Sequence, residues 1–274
     1  MRCSRYALLA CLLAQALAGC QNEGRDDTAH EIEYSATKSP TPNASSESVA
    51  ITLADNDGAD YSPTIDAANF VATIDHPFLT LTPGRVWIYE GQNEDGETER
   101  VEIEVTNEKK TILGVATTVV REREWENGEL VEDTRDWFPQ DKQSNVWYFG
   151  EDSKEIKNGA VVSTSGSWQA GVNGAQPGIV MKAQPQPGDR YRQEFLKGEA
   201  EDMGEVLSLD DSVTIALGTF VRCLCIKDWS PLEPEVVEHK FYSRTVGNLI
   251  LERKVAGETG QMELREMKFA AAAQ

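Results

Sequence analysis

From about residue 62 onward the chain alternates between apolar and polar positions in short runs separated by turn residues. The runs RVWIYEG, ERVEIEVTN, TTVVREREWENG, ELVEDTRDWF, NVWYFGE, AVVSTSGSW, RYRQEFL, SVTIALG, VRCLCIKDW, VVEHKFYS, NLILERKV and QMELREMKF are rich in β-branched and aromatic residues. Their period of two predicts strands. Asp95-Gly96, Asn127-Gly128 and Asn158-Gly159 each lie between two runs, and such pairs supply the positive φ angles of tight hairpin turns. Helical spacing is weak and confined to residues near 64 to 73. The pattern predicts an all-β domain over 62–270. Its hairpins build one large curved antiparallel sheet or open half-barrel, with at most one short helix, because so many strands must curl or cover their edges.

One hairpin can be placed in register. With Asn127-Gly128 as a two-residue loop, Trp125 faces Leu130, Arg123 faces Glu132 and Val119 faces Asp136. The other face then carries Glu122, Glu124, Glu126, Glu129 and Asp133. Like charges directly opposite one another are destabilising. That face is therefore expected to be solvated, or else relieved by a cation.

The first 61 residues follow a different pattern. Arg2 and Arg5 precede an Ala/Leu-rich run over residues 6 to 18. At about 1.5 Å per residue this run spans roughly 20 Å, short of the about 30 Å of a hydrocarbon core, so it suits a secretory signal better than a spanning helix. Ala16-Leu17-Ala18 offers an ordinary cleavage site. Leu17-Ala18-Gly19-Cys20 resembles the lipobox of bacterial lipoproteins. That resemblance implies cleavage before Cys20, acylation of its thiol and new amine, and a membrane anchor. Gln21 stands where an aspartate would imply retention at the inner membrane, which favours the outer one. Residues 20–61 are dominated by Ser, Thr, Ala and Asp and form an expected disordered tether.

Charge narrows the partners. The net charge is −20, and loss of residues 1–19 removes two arginines and no acid, leaving −22. Nucleic acid is excluded as a partner, because its binding relies on Lys and Arg displacing counterions. An apolar ligand, a cation or an envelope protein remains open, and the body is taken as a monomer.

The chemistry-bearing motifs are sparse. The sequence has no Gly-x-Ser-x-Gly elbow, no His-Glu-x-x-His, no Cys-x-x-Cys, no phosphate loop and no dinucleotide fingerprint, so no cofactor is expected. A dispersed carboxylate pair would leave no such trace. Cys223-Leu224-Cys225 places two thiols on one face of a strand. They can be packed core thiols, a strained disulfide, or soft metal ligands completed by His239. In QDKQSNVWYFGED (140–152), Asp141, Asn145 and Asp152 carry oxygen donors. Val146 and Asp152 occupy the positions where a calcium loop wants Gly and Glu, so a strand framed by polar turns is expected instead.

Three stretches, PFLTLTPGRVWIYEG (77–91), DWFPQDKQSNVWYFGED (136–152) and WSPLEPEVVEHKFY (229–242), resemble a group of secreted bacterial proteins and lipoproteins of unknown function. The resemblance carries no catalytic residue. A curved sheet on a lipid anchor also resembles in architecture the half-barrels of lipoprotein and lipid carriers of the LolA/LolB type. The sequence points to a lipid-anchored envelope protein with a non-enzymatic binding or structural role. A carrier of apolar cargo and a hydrolase with dispersed carboxylates are the alternatives.

Overall fold

Consecutive hairpins account for most of the architecture. The computed structural model describes residues 61–92, 96–257 and 260–269. The expected signal segment, Cys20 and all but the last residue of the tether lie outside the described residues. Tyr61, that last residue, is fastened to the body. Its hydroxyl donates to the Pro177 carbonyl at 3.0 Å, and its ring meets Phe195 edge-on.

Nine long strands form the body: β1 (Arg85–Gln92), β2 (Thr98–Ile112), β3 (Val115–Glu126), β4 (Glu129–Phe138), β5 (Met203–Ile215), β6 (Gly218–Ser230), β7 (Glu233–Ser243), β8 (Asn248–Ala256) and β9 (Gln261–Phe269). All belong to one antiparallel sheet in the order β4-β3-β2-β1-β9-β8-β7-β6-β5, which does not close into a barrel. Strands β1 to β4 form one meander and β5 to β9 another, and pairing of β1 with β9 joins the two. The expected all-β class is therefore observed. Among the described residues the sole helical element is a 3-10 turn at Ala67–Asn69, started by the Asp66 carboxylate accepting from Ala68 N–H.

Turn chemistry sets the hairpins. Asn127 and Gly128 have φ of 48° and 85°, and Asn158 and Gly159 have 54° and 75°, as a tight turn requires. The β2–β3 turn uses Leu113 and Gly114 at 50° and 79°, a conformation costly for leucine.

Residues 139–202, between the two meanders, carry four strands of a five-stranded sheet, Gln140–Asp141, Val146–Tyr148, Gln176–Met181 and Glu194–Phe195, and Phe70–Val71 supplies the fifth. This segment packs on one face of the large sheet, here termed the inner face. Tyr148 donates to Asp136 of β4, and Gln193 donates to Asp228 of β6. The core forms between the layers. Phe138 and Tyr148 stack at 5.0 Å, and Val86, Trp87, Ile88 and Tyr89 of β1 are buried on both faces.

The β3–β4 hairpin departs from its expected register. Trp125 does face Leu130, but Val131 is bulged out of the ladder, so every later pair moves by one. Arg123 faces Asp133 rather than Glu132, and Val119 faces Trp137 rather than Asp136. Asp133 thereby leaves the acidic face and takes two hydrogen bonds from Arg121, at 2.8 and 2.6 Å. The opposed Glu122–Asp133 pair does not exist. Glu122 and Glu124 are 5% and 2% exposed, so their face is buried, not solvated.

Candidate functional site

Alternation along β2 and β3 decides which side chains reach the inner face. On β2, Glu99, Val101, Ile103 and Val105 point inward and are buried, whereas Glu102 and Glu104 on the outer face are partly exposed. The ladder pairs Glu99 with Glu126, Val101 with Glu124 and Ile103 with Glu122. Three glutamates of β3 at positions i, i+2 and i+4 thus share the inner face with Glu99. The bulge at Val131 then sets Glu132 opposite Glu124. One carboxylate oxygen from each of Glu99, Glu124 and Glu126 lies within 4.8 Å of the others. The charges acting most on the Glu124 carboxyl are those of Glu132, Glu99, Glu122 and Glu126, all acids. Burial first, and these charges second, hold it well above the usual carboxylate range. Its Oε1 has no hydrogen-bond partner.

Further along the same face lies a second acidic group. Asp136 accepts from the Tyr148 hydroxyl at 2.9 Å and is pushed up to about 7, chiefly by burial. Burial likewise raises Glu151 and Glu194, and takes Asp202 to about 8. This group includes its own cation. The ammonium of Lys240, 1% exposed, lies 2.9 Å from Asp228 and 3.8 Å from both Glu238 and Glu252. Register explains the convergence, since Lys240 faces Glu252 across one ladder and Asp228 faces Glu238 across the other.

The outer face is polar in a different way. At the ends of β1, β2 and β3 a groove is lined by Glu90, Arg100, Trp125, Arg253, Glu263 and Arg265, and Glu99 borders it. Two of its cations are paired: Arg100 binds Glu102, which Arg123 also binds, and Arg265 lies 3.2 Å from Glu263. Both Arg100 and Arg123 also cover the Trp125 ring.

Cys223 and Cys225 are buried and free, so the disulfide is absent. The register places Cys225 opposite Phe241 and His239 between Lys227 and Arg253. Among the described residues, these three side chains do not converge as the glutamates do. Burial pushes the Cys225 thiol up to about 12 and raises Cys223, away from the thiolate a metal needs. Burial and the cations Lys227 and Arg253 lower His239.

In the 140–152 stretch, Asp141 is a structural acceptor. It binds the Asn145 backbone and side chain and, at 2.9 Å, the Trp147 indole N–H. Two oxygens so occupied leave little for a cation. Trp87, Trp137, Trp147 and Trp168 are buried, and Trp125 and Trp229 are partly exposed.

The acidic hairpin face was legible in sequence, but Glu99 and Glu132 were not. Glu99 joins from another hairpin, and Glu132 arrives by the bulge, which no turn signature announces.

No family model matches the chain, and no curated protein matches it. Two solved structures show a distant likeness. One, described as an exported protein with a YmcC-like fold from Bacteroides fragilis, has 13% identity and a TM-score of 0.41; the match covers 70% of this chain and 98% of that one. The other, described as a lipoprotein from Parabacteroides distasonis, has 16% identity and a TM-score of 0.34, with the same coverage.

Proposed function

We propose that this chain is an exported protein held to the bacterial envelope through acyl chains on Cys20. In this reading its body works by binding, taking a cationic group on the acid-lined inner face of the open sheet. The observation that carries it is the grouping of Glu99, Glu124 and Glu126 oxygens within 4.8 Å, with Glu124 2% exposed. Burying like charges without a counter-charge is costly, and a bound cation offsets that cost. An apolar cargo placed there would instead desolvate the same carboxyls. The export and anchor half of the reading is supported by Leu17-Ala18-Gly19-Cys20 and the basic, apolar run before it. Gln21 favours the outer membrane.

Two measurements test the halves separately. Wild type should partition into the detergent phase and Cys20→Ala into the aqueous phase; identical partitioning would remove the anchor. Native mass spectrometry of the acyl-free body, residues 21–274 from a bacterial periplasm, should show a cationic adduct. A lipid adduct would favour the apolar carrier instead.

One observation favours a second reading, a hydrolase with dispersed carboxylates. Asp136, near neutral in pKa, is buried beside Glu151, an arrangement able to hold one proton between two acids. Turnover of a glycoside panel by wild type, abolished in Asp136→Asn, would establish it.

A further inference from the structure

The β2–β3 ladder leaves one carboxyl with an unmet need. We infer that Glu99, Glu124 and Glu126 form a calcium site at the end of the inner face, a proposal that rests on the cation-binding reading above. Three features point to this ion. The donors are all carboxylate oxygens, which suit hard cations rather than zinc or copper. Their mutual spacing, within 4.8 Å, fits oxygens on opposite sides of one ion at the about 2.3–2.6 Å bonds of calcium. Glu124 is 2% exposed, its Oε1 has no hydrogen-bond partner, and its acidic neighbours include both other members of the set.

Several other acids of the molecule have partners. Asp133 has Arg121, Glu102 has Arg100 and Arg123, Asp228 has Lys240, and Asp141 has Asn145 and Trp147. The charges that act most on Glu124 are those of acids: Glu132, Glu99, Glu122 and Glu126. Bound calcium brings opposite charge among these carboxyls and lowers their mutual repulsion. Glu126 is partly exposed, which leaves that end of the set open to the ion and to the waters that complete its shell.

Isothermal titration of the full-length acylated protein in detergent, stripped with chelator and titrated with calcium chloride, tests this directly. Wild type should bind one calcium per chain. Glu124→Gln and Glu126→Gln should each weaken binding about tenfold or more, as ligand-shell changes do. Glu235→Gln, an exposed acid on β7, should bind as wild type does. Glu126 is the less buried of the two, so its variant still decides the matter if Glu124→Gln does not fold. Wild-type affinity in both variants would overturn the site while leaving the wider cation reading in place. No calcium binding by wild type would also overturn it, and with no cationic adduct in the mass spectrum the wider reading falls too.

Discussion

Lys240 shows what a single residue can hold together. It is 1% exposed, and Asp228, Glu238 and Glu252 all turn toward its ammonium. Removing one partner of a buried ionic group leaves uncompensated charge, which typically costs about 3–5 kcal/mol. Lys240→Met keeps much of the volume and deletes the charge. Urea unfolding should show a loss of that size at neutral pH, and a loss below about 1 kcal/mol would mean that the acids pair elsewhere. Glu124 is the converse case, an acid on which other acids exert the strongest charge effects. The two residues lie on one face of one sheet and differ in whether the ladder brings them an opposite charge.

Strand-level features decide which face each residue reaches. The bulge at Val131 sends Asp133 outward to Arg121 and brings Glu132 inward opposite Glu124. A local insertion of one residue thus changes the charge of both faces. Glycine plays a comparable part at Gly150, in the strand Gly150–Asp152 that pairs with β4. Its φ is 117°, and a Cβ there would lie 2.2 Å from the Trp168 carbonyl oxygen. Gly150→Ala must therefore accept backbone strain or push apart the pairing with Trp168–Gln169, at a cost of at least about 1–3 kcal/mol. A lower midpoint in thermal unfolding is the expected outcome, and an unchanged midpoint would show that the segment relaxes freely.

At the scale of the molecule, the buried acids make stability depend on pH in an unusual direction. Asp136 and Asp202 have folded-state pKa values of about 7 and about 8, above their unfolded value of 3.8. Between the unfolded and folded values the native state holds protons that the unfolded chain has lost. Their contribution to stability is therefore full below the unfolded pKa and is lost as pH rises through the folded pKa. Asp133, lowered by Arg121, acts in the opposite sense and is lost as pH falls below the usual carboxylate range. The net charge of −20 also repels more strongly at high pH. The melting temperature in chelator should rise as pH drops from 8 toward about 5 and fall again below about 4. A maximum at pH 8 would contradict this account.

The sequence by itself determined the β class, the hairpin turns at Asn127-Gly128 and Asn158-Gly159, and the sharing of one face by Glu122, Glu124 and Glu126, but not that this face turns inward. Each depends on positive φ or on a period of two, and both are local properties of the chain. It also contains the Leu17-Ala18-Gly19-Cys20 pattern, which needs no fold to be recognised. Only the tertiary structure decided that β1 pairs with β9, joining residues on opposite sides of the chain. It alone set Glu99 beside Glu126, brought Lys240 to three acids, and moved Asp133 off the acidic face. A pairing partner and a bulge are settled by competition among whole strands for burial and ladder hydrogen bonds. No window of the sequence contains both sides of that competition.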